Sequence, residues 1–104
     1  MTARPSLGRV DLAAVPVEHP EVQLIQPTWH CLLRFRQRAR PAVGTDAAIA
    51  ALHATLTDAV IDVWPPPWAA GQQAPRWAVS GRFAFPLSPA GDHGRWSAVT
   101  CLVA

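Results

Sequence analysis

The chain has no lysine and no tyrosine, two cysteines, one methionine and only 15% charged residues. A disulfide framework in so short a chain normally uses four or more cysteines, so Cys31 and Cys101 are predicted to be buried, reduced thiols. The net charge of +2 is too small to indicate nucleic-acid binding by itself. Composition therefore excludes a disulfide-rich fold and leaves the arrangement of the charges as the informative property.

Long hydrophobic runs are also missing, since no apolar stretch approaches the roughly 18 residues that cross a bilayer. Arg4 is not followed by the apolar segment of a signal peptide. We therefore expect no membrane partner, and the predicted reduced thiols indicate a cytoplasmic location. With 50% hydrophobic residues in 104, the chain can bury the core of a single domain.

The prolines and the glycine within residues 1–20 predict an extended N-terminal arm, and residues 21–104 are predicted to form one domain. Residues 22–25 are interpreted as a short strand. Thr28 is one of the residue types that favour the N-cap of a helix, and Pro41 would end the helix that follows. Four residues of this first helix share an apolar face: Cys31, Leu32, Phe35 and Ala39.

A second helix is predicted from Thr45 or Asp46 to about Asp62, because apolar residues recur there at helical spacing. Residues 77–79 and 83–87 predict a hairpin with its turn at residues 80–82. Alternation over residues 96–103 predicts a final continuous strand. The expected fold class is α+β, with two N-terminal helices packed on a three- to four-stranded antiparallel sheet.

The basic residues are all arginine, and four of the nine lie in one seven-residue stretch: Arg34, Arg36, Arg38 and Arg40. On the predicted first helix, His30, Arg34, Gln37 and Arg38 fall within an arc of about 100° on the side away from the apolar face. Guanidinium groups suit bidentate contacts to phosphate, and histidine can transfer protons near neutral pH. This face is the candidate site.

The segment from Thr28 to Arg38 reads Thr-x-His-x3-Arg-Phe-x-Gln-Arg. It resembles a helix of small bacterial proteins in the barnase/EndoU/RelE-like ribonuclease superfamily, including toxin-type members, where such a helix precedes a compact antiparallel sheet. The resemblance extends loosely through Trp68 to Val99-Thr100 in the last strand. Cys31 departs from the pattern, because a small alanine is common at that position.

The resemblance implies RNA cleavage without metal or cofactor. His30 would act as base or acid, Arg34 and Arg38 would hold the phosphate, and Thr100 would hydrogen-bond a phosphate oxygen. Four further residues are candidates for substrate binding: Gln37, Arg82, Arg95 and Trp68. An antitoxin-like protein is a possible partner beside RNA.

Three other interpretations remain open at this stage. The arginine face could be an ordinary solvated surface, the chain could be a non-catalytic module that binds a protein partner through arginines and tryptophans, or the arginines could bind nucleic acid purely electrostatically. The segment Trp64-Pro65-Pro66-Pro67-Trp68 is interpreted as a stiff connection, with a polyproline II ligand as the alternative. No set of Cys and His has the spacing of a metal site.

Overall fold

A computed structural model describes residues 16–39, 43–91 and 94–104. The described residues form seven strands, two α-helices and one short 3-10 helix. The elements are β1 (Val17–His19), β2 (Gln23–Pro27), α1 (Trp29–Ala39), α2 (Thr45–Thr57), β3 (Val60–Asp62), the 3-10 helix (Pro67–Ala69), β4 (Arg76–Ser80), β5 (Phe83–Pro89), β6 (Arg95–Ala98) and β7 (Leu102–Val103). Neither described α-helix is long and apolar enough to cross a membrane.

The strands form one mixed sheet in the order β1-β2-β6-β5-β4-β3, and β7 pairs with β5. The β2–β6 pair is parallel, whereas the other strand pairs are antiparallel. Strands from the second half of the chain therefore lie between β2 and β3, which both precede them in the sequence.

The predicted arrangement of two N-terminal helices on a three- to four-stranded antiparallel sheet is wrong. Two strands precede the helices, and the sheet is larger and mixed. The sequence did not predict this sheet for two reasons. A strand of three residues, such as β1, is too short to show a periodic pattern, and nothing in the sequence of β2 indicates its parallel pairing with the distant β6. Residues 1–15 of the predicted arm lie outside the described residues, and Val17–His19 is a strand of the sheet.

Helix α1 begins where the sequence predicts. The Thr28 hydroxyl accepts a hydrogen bond from the Cys31 N–H at 3.1 Å, which is the N-cap interaction. Cys31, Leu32 and Phe35 are buried, as the apolar face requires. Arg40 and Pro41, at the predicted end of the helix, lie outside the described residues.

Helix α2 ends at Thr57, before the predicted end near Asp62. Residues 60–62 form β3 instead, with Val60 opposite Val79 in the register of the β3–β4 pair. Val60 fits the helical spacing, but the β-branched side chains of Val60 and Ile61 favour a strand once a neighbouring strand is present to pair with them. Here tertiary pairing overrides the helical pattern.

The hairpin of β4 and β5 confirms the predicted turn, and Ser80 pairs with Phe83 across it. The two turn residues are Gly81 and Arg82, and Gly81 has a φ of 57°. A positive φ at the first turn position is typical of the primed hairpin turns, where glycine is unstrained. The turn places Arg82 at the tip of the hairpin.

The predicted final strand over residues 96–103 is interrupted. Ala98 pairs with Leu87 and Leu102 pairs with Ala84, so one side of the ladder has one residue more than the other. This extra residue is a β-bulge, and we refer to residues 99–101 as the bulge. It shifts the alternation, so Cys101 is buried together with Ala98 instead of on the opposite face.

Two apolar clusters pack on opposite faces of the sheet. The larger one joins the sheet to both helices and includes Ile25, Phe35, Leu52, Leu56, Phe85 and Leu87. The smaller one consists of Ala69, Trp77 and Ala84, and it is covered by the loop that contains the 3-10 helix. Adjacent residues of β4, Trp77 and Ala78, belong to different clusters, as strand alternation requires.

Both cysteines are buried free thiols in the larger cluster. Burial raises the pKa of Cys101 to about 12, and the Arg38 guanidinium acts in the opposite direction. Burial and then the neighbouring Cys101 thiol raise the pKa of Cys31 well above its ordinary value. The folded protein therefore holds both thiol protons at pH values where an unfolded chain would release them.

We expect the free energy of unfolding to fall as the pH rises from about 9 towards 12, by about 1.4 kcal/mol per pH unit for each thiol. The sign follows because the unfolded chain binds fewer protons than the folded chain over this range. The chain has no lysine or tyrosine to mask the effect. Urea unfolding at a series of alkaline pH values should show this slope, and Cys31→Ala with Cys101→Ala should flatten it. An unchanged slope in the double variant would contradict the assignment.

Candidate nucleic-acid interface

The polar side of α1 carries the histidine and arginines that the sequence singles out. His30 is exposed in the first turn, and Arg34 is half-buried one turn further along. An Arg34 guanidinium N–H donates to the Gln37 side-chain carbonyl over a long 3.5 Å. Because residues i and i+4 are neighbours on a helix surface, His30 and Arg34 lie side by side.

Arg38 and Arg82 line the same cleft, although they lie far apart in the sequence. The cleft has a volume of about 410 Å³ and lies between α1, α2 and the tip of the β4–β5 hairpin. Its lining residues are Phe35, Arg38, Ala39, Ala51, Ala54, Thr55, Arg82 and Phe83. We call it the arginine cleft.

Neither arginine is neutralised within the described part of the chain. Arg38 and Arg82 have no ion-pair partner there, and no acidic residue lines the arginine cleft. The Arg82 guanidinium lies 6.0 Å from the centre of the Phe83 ring, a cation–π distance that helps to hold it over the cleft. Two uncompensated guanidinium groups at one cleft favour an anionic ligand.

The bulge is connected to the start of α1. The Thr28 hydroxyl donates to the Val99 carbonyl at 3.0 Å, and the Thr28 N–H donates to the Ala98 carbonyl at 3.1 Å. Thr100, the next residue, is half-buried in the bulge. The bulge therefore lies beside the start of α1.

His30 does not reach the arginine cleft. It lies two turns before Arg38, which is about 12 Å along a helix that rises about 1.5 Å per residue. Any ligand that contacts both His30 and the cleft must therefore extend along α1. A single phosphate group could not do so, but a nucleic-acid strand could.

Two predicted substrate-binding residues lie elsewhere. Arg95 starts β6 and lines a separate cleft of about 220 Å³ with Pro16, Leu24, Gln26 and Trp96. Trp68 belongs to the 3-10 helix, whose residue Ala69 packs in the smaller cluster on the face of the sheet opposite the helices. The structure thus places Arg82 at the same cleft as Arg38, whereas Arg95 and Trp68 do not line this cleft.

Sequence reasoning missed the contribution of α2. Ala51 and Ala54 are small and leave room for the arginine cleft, and Thr55 lines it while donating its hydroxyl to the Ala51 carbonyl at 2.8 Å. Alanine in a helix is too common to indicate a cleft. A second missed interaction joins the helices, because an Arg36 guanidinium N–H reaches the Thr45 hydroxyl at 3.5 Å.

Within residues 16–39, 43–91 and 94–104, no group of three or more His, Cys, Asp or Glu side chains is arranged to hold a metal ion. Comparison of the chain with protein families, with curated proteins and with solved structures finds no match. Function must therefore be argued from the site itself.

Proposed function

We propose that this protein binds RNA along the polar side of α1 and cleaves it without a metal ion, as a toxin-type ribonuclease would. The observation that carries the proposal is the arginine cleft, where Arg38 and Arg82 meet with no acidic residue and no ion-pair partner in the described chain. Polyanions are the ligands that uncompensated arginines bind best. The resemblance of the Thr28–Arg38 segment to the ribonuclease superfamily supports the same conclusion.

The proposed chemistry divides the roles along the helix. His30 takes the proton from a ribose 2′-hydroxyl, whose oxygen then attacks the adjacent phosphorus. The bond to the 5′-oxygen breaks, that oxygen takes a proton from water, and the products are a 2′,3′-cyclic phosphate and a 5′-hydroxyl end. Arg34 and the Thr100 hydroxyl stabilise the phosphate as negative charge builds.

Arg38 and Arg82 have a different role in this scheme. Since Arg38 lies about 12 Å from His30 along the helix and Arg82 lines the same cleft as Arg38, these two arginines hold a neighbouring phosphate and fix the position of the strand. Gln37 keeps Arg34 in place through its side-chain carbonyl. The cellular RNA that such an enzyme would meet, together with the two reduced thiols, makes the cytoplasm the location that we propose.

A non-catalytic interaction module is the second candidate, and one observation favours it. Trp64 and Trp68 are both exposed in the loop after β3. Tryptophans are enriched at protein interfaces. In this alternative, an antitoxin-like or other protein partner would bind the protein, and RNA would remain intact.

The test is incubation of the purified protein with a single-stranded RNA in the presence of EDTA, with binding measured on a 2′-O-methyl RNA at several salt concentrations. We expect cleavage to survive chelation and affinity to fall steeply with salt. The measured quantity is the slope of the logarithm of the binding constant against the logarithm of the salt concentration. Its magnitude falls by about 1 for each phosphate that an arginine no longer neutralises. Arg38→Gln with Arg82→Gln should therefore give a visibly shallower slope.

Arg76→Gln is the matched control, because Arg76 does not line the arginine cleft. Its guanidinium lies 5.8 Å from the centre of the Trp96 ring and donates to the Pro75 carbonyl. This variant should bind RNA as the wild type does. Absence of RNA binding even at low salt would rule out both the interface and the enzyme. Binding without cleavage would rule out the enzyme alone.

A further inference from the structure

The arginine cleft is larger than a phosphate group requires. Its volume of about 410 Å³ falls within the roughly 300–1,000 Å³ of sites that hold whole small molecules. A phosphate that binds Arg38 and Arg82 would occupy only a small part of this space. The remaining space is therefore open to the chemical group that carries the phosphate.

Most of the lining of the arginine cleft is apolar. The apolar residues are Phe35, Ala39, Ala51, Ala54 and Phe83. Phe35 is buried and Phe83 is half-buried, and the centres of their rings lie 5.5 Å apart. Arg38 and Arg82 are both exposed. The two cations therefore lie nearer the solvent than the aromatic surface of the cleft.

This combination suits an anion with a flat, largely apolar body. Nucleobases stack on aromatic side chains, and the phosphates joined to them bind guanidinium groups. The Arg82 guanidinium lies 6.0 Å from the centre of the Phe83 ring, which is the outer limit of a cation–π contact. The exposed Arg82 side chain can therefore turn towards a phosphate and leave the Phe83 ring to a base.

Thr55 adds a requirement of its own. It is the uncharged polar residue among those that line the cleft in the described chain, and its hydroxyl donates to the Ala51 carbonyl at 2.8 Å. A hydroxyl has a single proton, so the Thr55 oxygen can only accept a further hydrogen bond. A ligand that meets it must bring a donor. The exocyclic amino groups of adenine, cytosine and guanine are such donors, and uracil has none.

We propose that the arginine cleft binds an amino-bearing nucleobase together with its phosphate. The base stacks on the Phe83 ring and donates an amino N–H to the Thr55 oxygen. Arg38 and Arg82 hold the phosphate at the exposed side of the cleft. This inference rests on the proposed binding of RNA along α1, and it assigns to the arginine cleft the recognition of one base of that RNA.

The test is an NMR titration of the full chain at low salt with three ligands that differ in one part each. They are adenosine 5′-monophosphate, the same nucleotide without its amino group, and ribose 5-phosphate, which has no base. Adenosine monophosphate should bind most tightly. Removing the amino group should raise the dissociation constant by about fivefold, and removing the base should raise it further.

Thr55→Val tests the role of the hydroxyl, because valine keeps the shape of the side chain and removes the acceptor. In this variant the nucleotides with and without the amino group should bind equally. Thr57→Val is the matched control. Thr57 lies on the same helix and donates to the His53 carbonyl at the same distance of 2.8 Å, but it does not line the cleft. It should keep the wild-type difference between the two nucleotides.

Two results would overturn the inference. One is equal affinity for adenosine monophosphate and ribose 5-phosphate, which would mean that the cleft binds the phosphate alone. The other is a difference between the two nucleotides that Thr55→Val leaves unchanged. RNA cleavage without base-dependent nucleotide binding would overturn this inference and leave the proposed enzyme standing. Base-dependent nucleotide binding with intact RNA would support the inference and rule out the enzyme.

Discussion

Replacing His30 with alanine should lower the rate of RNA cleavage by at least about a hundredfold, the usual contribution of a general base. The side chain is exposed on α1, so its removal should not disturb the core. Affinity for a 2′-O-methyl RNA should stay close to that of the wild type, because Arg34, Arg38 and Arg82 remain. Single-turnover cleavage and a binding titration measure the two effects separately.

The chemistry also predicts which substrates resist cleavage. An RNA with 2′-O-methyl groups lacks the proton that His30 would remove, so it should bind without being cut. A chimeric strand with a single free 2′-hydroxyl should be cut only at that position. Equal cleavage by His30→Ala and wild type would show that His30 is not the catalytic base.

Replacing Phe85 with alanine should lower the free energy of unfolding by about 3–5 kcal/mol. Phe85 lies in β5, is fully buried and packs in the larger cluster between the sheet and the helices. A domain of this kind has a total stability of about 5–15 kcal/mol, so the variant should lose a large part of it. Urea unfolding followed by circular dichroism measures the change.

Phe83→Ala is the matched comparison, because it removes the same atoms from the same strand. Phe83 is only half-buried and lies against the Phe35 ring at a centroid distance of 5.5 Å. Its removal should therefore destabilise the protein clearly less than the removal of the Phe85 side chain. Similar losses of unfolding free energy in the two variants would mean that the larger cluster does not centre on β5.

The local elements of this protein were largely predictable, because each depends on neighbouring residues. The Thr28 cap, the apolar face of α1 and the Gly81 turn all arise from spacing within a few positions. The sheet was not predictable in this way. The parallel pairing of Leu24 with Arg95 joins residues far apart in the chain, and nothing in either short strand indicates the other.

The candidate site was likewise predictable only where its residues are close in the sequence. The helical spacing of His30, Arg34 and Arg38 could be read from the sequence, since one helix carries all three. The meeting of Arg38 with Arg82 depends on how the hairpin packs against the helices, so it appears only in the fold. The bulge could not be foreseen, because alternation over residues 96–103 is uninterrupted in the sequence.

The interleaved strand order has a consequence for protein splitting. A cut in the loop between the 3-10 helix and β4 would leave one fragment with β1, β2, both helices and an isolated β3, and another with the remaining strands. Neither fragment could build the whole sheet alone, because the β2–β6 pair and the β3–β4 pair each join strands from different fragments. The two pieces should regain structure only when mixed, which makes this loop suitable for a complementation reporter.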